Sequence, residues 1–275
     1  MTAKECYQAG DLTGAAAAAT EEVKQRPTDV ARRLFLAELL CFTGELERAD
    51  KQLDALGHQD PQTAMVVAML RQLVRAEQAR RDFFAEGRLP EFLEPPPAYL
   101  RLHLEASIRL REGRPDEAAR LLDDAEQQRP HCAGTAGDAA FDDFRDIDDL
   151  TAPLLEVLTS TGKYYWIPVQ RVELIEMRPP ERPRDLLWRR AHVIVHGGPD
   201  GEVFLPSLYA GSSAEADDRL RLGHLTDWRG GDGSPNRGAG QRMFLVGEEA
   251  QGIMELETIA FTNPQPGAGD GESAT

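Results

Sequence analysis

Cysteine is nearly missing from this 275-residue chain: Cys6, Cys41 and Cys132 are odd in number and far apart. That excludes a disulfide framework and a CxxC metal or redox site. Lysine is scarcer still for its class, four of 31 basic residues, and the 27 arginines are scattered rather than gathered into a stripe. With 47 acidic side chains the formal net charge is −16 and the sequence pI about 4.8. Such a chain lacks the counterion-releasing surface that nucleic acid or an anionic membrane needs. No run approaches ~18 apolar residues, so no membrane-spanning helix is expected. The start, Met1-Thr2-Ala3-Lys4-Glu5, has no apolar leader segment. The reading is a soluble, cytoplasmic protein, long enough for two domains.

What is present first is a repeat. Gly10-Asp11-Leu12-Thr13-Gly14-Ala15, Gly44-Glu45-Leu46-Glu47-Arg48-Ala49 and Gly113-Arg114-Pro115-Asp116-Glu117-Ala118 share one pattern. Gly10 to Gly44, Ala15 to Ala49 and Pro27 to Pro61 each span 34 residues, and the third copy follows the second by 69 at all three positions. A 34-residue period is that of tetratricopeptide helix pairs. The glycine suits a left-handed helix cap, the small alanine a close helix approach, and the proline a stop. The middle unit is degenerate: a long helix over about 62–86 breaks at Gly87 and at Pro95-Pro96-Pro97 before a helix over 98–111. The proline insert reads as a rigid connector, with a binding rim as the alternative.

At His131 the character changes. Asp138, Asp142, Asp143, Asp146, Asp148 and Asp149 stand against Arg145 alone, which predicts a solvated acidic junction over 132–149. A short helix is predicted over 152–159, with the aspartates near its N-terminal dipole. From Lys163 the pattern turns to strands: 164–168, 172–177, 192–196, 203–208, 243–246 and 253–261 are short and rich in β-branched or aromatic residues. His196 to Val203 reads as a hairpin loop, Gly230 to Gly240 as a turn region and 217–222 as a short helix. The fold class is therefore α+β multidomain: all-α tetratricopeptide-like helical repeats over 1–131, the junction over 132–149, a mainly antiparallel β-rich domain over 150–262, and a disordered tail over 263–275.

Tests for chemistry return little. No GxSxG elbow or GxxxxGK[ST] loop exists, and Gly238-Ala239-Gly240 has Met243 where a dinucleotide fingerprint needs glycine. His192 and His196 lie ~13 Å apart on a strand, too far to share one zinc. An EF-hand loop begun at Asp138 fails, with Asp143 in place of the sixth-position glycine and Asp149 in place of the twelfth-position glutamate. No catalytic, cofactor-binding or metal-ligating set is expected. The aromatics Tyr164, Tyr165 and Trp166, with Trp188, are candidate partner contacts, core packing being the other reading. The residues alone describe a repeat protein that binds peptides or helices on an extended surface.

Several ordered strings go further. Phe144-Arg145-Asp146-Ile147-Asp148-Asp149-Leu150 and Gly162-Lys163-Tyr164-Tyr165-Trp166-Ile167-Pro168 resemble the hallmark stretch of the ImpE (TagJ, SciE-type) family. Arg182-Pro183-Arg184-Asp185-Leu186-Leu187-Trp188, Val203 to Tyr209, Thr226-Asp227-Trp228 and Gly240 to Gly247 fit it in the same order. The likeness covers nearly the whole chain except the tail. It implies a non-enzymatic, cytoplasmic accessory protein of the bacterial type VI secretion system. The implied partner is the small sheath subunit (TssB/VipA type), held through its N-terminal helix, with a role beside the sheath-disassembling ClpV ATPase. The family offers no catalytic set to carry over. A general repeat scaffold for another partner, and an enzyme with a site in the β-rich half, stay open as alternatives. The acidic stretch suggests a steering surface for a basic partner helix.

Overall fold

The computed structural model describes residues 1–59 and 63–262. Its first half is a run of antiparallel helices: α1 (Ala3–Gln8), α2 (Leu12–Gln25), α3 (Val30–Phe42), α4 (Leu46–Gln59), α5 (Ala64–Glu86), α6 (Ala98–Arg111) and α7 (Pro115–Glu126). The repeat pattern places the turns. Gly10, Gly44 and Gly113 adopt φ of +80°, +83° and +72° at the ends of α1, α3 and α6, a region costly for any side chain. Ala15, Ala49 and Ala118 have no exposed surface, so a larger residue there would force the paired helices apart. Asp11 and Asp29 accept from the backbone N–H groups of Gly14 and Arg32 at 2.7 and 3.1 Å, capping α2 and α3. Pro61, the stop of the second repeat, and the tail from residue 263 lie outside the described residues. The degenerate unit is α5 without a second helix. The chain instead runs as a strap over 88–97, whose Glu91 bonds Tyr164 and Trp166 backbone groups at 2.9 and 3.1 Å.

The second half is antiparallel throughout. It holds β1 (Gly134–Ala136), β2 (Ala139–Phe141), β3 (Phe144–Asp146), β4 (Leu154–Leu158), β5 (Tyr164–Pro168), β6 (Val172–Met177), β7 (Trp188–Val195) and β8 (Asp200–Pro206). After these come α8 (Asp218–Arg221), β9 (Thr226–Gly231), β10 (Ser234–Gly240), β11 (Met243–Val246), β12 (Glu249–Gly252) and β13 (Thr258–Phe261). Eight strands form one sheet in the order β2-β1-β13-β6-β7-β8-β4-β5, with a β12-β11-β3 sheet and a β10-β9 hairpin beside it.

Three expectations are corrected. Within the 152–159 stretch expected to be a helix, residues 154–158 form strand β4; every β4 residue is buried, so no alternation marks it as a strand. Gly230 to Gly240 is mostly strand: it contributes the end of β9 and all of β10, the turn lying at Asp232 and Gly233. The 132–149 stretch is not a solvated junction, because β1 and β2 extend the main sheet at β13 and β3 pairs with β11.

The main sheet is packed on both faces. Leu154, Leu158, Tyr164, Trp166, Trp188 and Phe204 turn toward the helices and share one apolar core with α3 and α5. Leu155, Val157, Ile167, Ile175, Val193 and Ile259 face the other way and pack with Phe144 and Phe244 of the small sheet. The inner face of the repeats is thus covered by the protein's own sheet. No helix among the described residues is long and apolar enough to cross a membrane.

Candidate functional site

Period-2 alternation decides where the four candidate aromatics go. Tyr164 and Trp166 point into the seam between sheet and helices and are fully buried, whereas Tyr165 is half-buried on the opposite face. Trp166 lies edge-on to Phe83 of α5 with ring centroids 4.6 Å apart. Trp188 is buried in the same seam, and its Nε1–H donates to Glu77 Oε2 at 3.2 Å. Tyr164, Trp166 and Trp188 hold the two halves together, and in this fold they offer a partner no surface.

Around these rings lies a buried ionic network. Arg80 of α5 donates from Nε and Nη2 to Glu156 of β4 at 2.9 and 3.0 Å, and from Nη2 to the Leu208 carbonyl at 3.0 Å. Glu156 also accepts from Tyr164 and from Arg242. Arg242 reaches on to Asp146 at 2.8 Å, and Asp146 accepts from Tyr209, Thr151 and the Asp148 backbone. Burial alone would raise the Glu156 carboxyl, but Arg80 and Arg242 outweigh it and hold the group down at about 2. At Asp146 burial dominates over the pull of Arg242, and the carboxyl is raised. His103 of α6 adds a tie across the seam, its Nδ1 2.9 Å from the Leu150 carbonyl, and burial lowers it to about 4. Arg80, Glu156 and Arg242 are buried charges holding one another across the seam, which makes the cluster a structural device.

The acidic stretch is mostly engaged within the fold. Asp143 pairs with Arg129, Asp146 with Arg242, Asp148 with Arg237 and Asp149 with Arg145. A solvated steering surface built from this cluster is therefore corrected: four of its six carboxylates face arginines of the same chain. His192 and His196 go to separate carboxylates, Asp200 at 2.9 Å and Glu173 at 2.8 Å. Gly238 is a packing glycine on β10, since a Cβ there would lie 2.2 Å from the Tyr209 ring. Among the described residues no group of three or more His, Cys, Asp or Glu is placed to hold a metal ion.

Sequence reasoning passed over Arg80, Glu156 and Arg242, whose partners are 76 and 86 residues apart in the chain. One signal was available: Asp146, Trp166, Trp188, Tyr209 and Arg242 all fall inside the strings that carry the family likeness.

Fold and site together define a class: a helical-repeat protein closed on its inner face by an antiparallel β-rich domain, locked by a buried ion network. The tetratricopeptide repeat family matches residues 7–73 and the family described as ImpE protein matches residues 138–260. The chain is 31% identical over 261 residues to the type VI secretion system accessory component TagJ of Pseudomonas aeruginosa, a match covering 95% of this chain and 91% of that protein. The crystal structure of a Vibrio parahaemolyticus protein superposes with a TM-score of 0.88 at 28% identity, covering 94% of this chain and 97% of that one. The chain belongs to the ImpE family.

Proposed function

We propose that this protein is a cytoplasmic, non-enzymatic adaptor of a type VI secretion system. It binds the N-terminal helix of the small sheath subunit and tunes sheath assembly, or sheath recycling by a ClpV-type ATPase. The observation that carries this reading is the similarity to a type VI accessory component along 95% of the chain, repeats and β-rich half alike. The helical repeats support it physically, because stacked helix pairs present long grooves between helices that suit a helical ligand. The inner face of α3 and α5 is closed by the sheet, so the partner helix docks on a different surface from the one a free repeat array would use.

The experiment is fluorescence anisotropy with a labelled peptide of the sheath subunit's N-terminal helix, titrated with the full chain. Saturable binding with a Kd below ~100 μM is the expected result, and none at that concentration overturns the reading.

A further inference from the structure

A cleft of about 970 Å³ opens at one corner of the β-rich half, between the β1–β2 end of the main sheet and the β11–β12 hairpin. No residue of α1–α7 lines it. Two sheet edges border it, because β2 ends the eight-stranded order and β12 ends the three-stranded one. At the end of β1 the Gly137 N–H bonds the Thr258 carbonyl of β13 at 3.0 Å, so ladder alternation turns the backbone groups of Gly134 and Ala136 toward β2. Their partners are Phe141 and Ala139, and the N–H and C=O of Ala140 between them are left on the open side.

The opposite edge of the same sheet is closed. There the strap over 88–97 lies on β5, with the Glu91 N–H on the Tyr164 carbonyl at 2.9 Å and the Trp166 N–H on the Glu91 carbonyl at 3.1 Å. Among the described residues no strand or strap covers β2. Its sequence, Ala139-Ala140-Phe141, carries neither the charge nor the proline that commonly blunts an edge.

Charge selects what the open edge accepts. Asp142, Glu248, Glu249, Glu255 and Glu257 line the cleft, all exposed, and among the described residues no lysine, arginine or histidine does. Glu255 accepts from the Gly252 N–H at 2.7 Å, and the other four side chains have no hydrogen bond or ion pair among the described residues. These carboxylates, unlike those that face Arg129, Arg145, Arg237 and Arg242, are therefore unmatched within the chain.

We propose that β2 accepts an extended, basic segment of a partner protein as an added strand. Its backbone pairs along Ala140 and its lysine or arginine side chains reach the carboxylate rim, their aliphatic stems running over Ala139 and Phe141. A strand as short as β2 supplies few backbone bonds, so the rim charge provides much of the affinity and makes it salt-dependent. A second copy of this chain has the wrong sign, since it would bring the same five carboxylates to the rim. The tail over 263–275 has it too, its only charged side chains being Asp270 and Glu272. The proposal goes beyond the adaptor reading and does not depend on it.

The test uses the full chain and three labelled synthetic peptides: an alternating Lys–Val peptide, its Glu–Val twin, and the Lys–Val peptide N-methylated throughout, which keeps the charge and has no backbone donor. The Lys peptide should bind, weaken with added salt and outcompete the Glu twin, and N-methylation should weaken it by about tenfold. Glu248→Lys with Glu249→Lys reverses two exposed rim charges; it should leave the thermal melt unchanged and weaken the Lys peptide by about tenfold. If that variant melts early, the three peptides on the wild-type chain decide alone. No binding of the Lys peptide, equal binding of the Glu twin or of the N-methylated form, or indifference of a stable double variant overturns the proposal. A concentration-dependent dimer in sedimentation velocity that blocks the Lys peptide gives the edge to a second copy and overturns it as well. The sheath peptide separates the two proposals: if it fails while the Lys peptide binds, only the adaptor reading falls, and in the reverse case only the added strand does.

Discussion

Arg80 of the helical repeats and Glu156 of the central sheet meet through two parallel hydrogen bonds, 2.9 and 3.0 Å long, with both side chains buried. The pair is 76 residues apart in sequence and lies where the halves of the molecule join. Because Glu156 also faces Arg242, it is the anion between two buried guanidiniums.

Removing that anion is therefore costly. Glu156→Gln is expected to lower stability by about 3–5 kcal/mol, since two cations lose their shared counter-charge in a dry seam. Urea denaturation of full-length variants measures it. A paired Arg80→Met, Glu156→Leu variant should recover part of the loss, whereas a single-site loss below ~1 kcal/mol would show that Glu77 and Asp146 suffice.

Trp166 has no exposed surface and packs edge-on to Phe83. Trp166→Ala is expected to cost about 3–5 kcal/mol and to impair folding. A thermal melt run beside the peptide titration distinguishes this from a contact role. A variant that melts like wild type yet loses the peptide would return Trp166 to the partner surface.

His103 makes the seam sensitive to acid. Burial holds it down at about 4 against an ordinary 6.5, so the unfolded chain takes up the proton first as pH falls. A depressed folded value gives stability that is complete above 6.5 and is lost on acidification toward 4, about 3 kcal/mol across that window. Asp146 acts in the opposite sense, because burial raises its carboxyl and folding gains as it protonates. Comparison with His103→Gln isolates the histidine: between about pH 7.5 and pH 4 wild type should lose roughly 3 kcal/mol more than the variant. Parallel stability–pH curves would refute the assignment.

Gly238 leaves room for the Tyr209 ring, which a Cβ would meet at 2.2 Å. Gly238→Ala should cost about 1–3 kcal/mol by pushing Tyr209 off Asp146, to which its hydroxyl donates at 2.8 Å. Near-UV circular dichroism and a melt would report the shift. An unchanged melt would mean that the ring moves freely.

The repeats were legible because their determinants are local. A left-handed glycine, a buried alanine and a helix stop recur at fixed spacing, and Gly10, Gly44 and Gly113 all take positive φ. Some strands were legible for a similar reason: β5, β6 and β11 begin and end where their β-branched and aromatic runs do. Strand β4 was not, because Leu154 to Leu158 is buried on both faces and its one polar residue, Glu156, reads as the wet side of a helix. The Asp146 and Asp148 carboxylates read as solvated because the cations that pair with them are remote; Arg242 and Arg237 come from 96 and 89 residues away. The aromatics illustrate the same limit. Their identity announces a contact, and only the sheet's direction shows that Tyr164 and Trp166 make it within the chain.

The sheet that covers the inner face of α3 and α5 also changes how this molecule comes apart. A free solenoid frays one unit at a time from its ends. Here the middle helices are bolted to strands β4 and β5, so loss of an end repeat leaves the joint intact and loss of the joint exposes both halves at once. Cutting the chain between α7 and β1 would yield two sticky fragments rather than two working parts. Partner surfaces on this protein are accordingly to be mapped by point substitution on the whole chain, not by truncation.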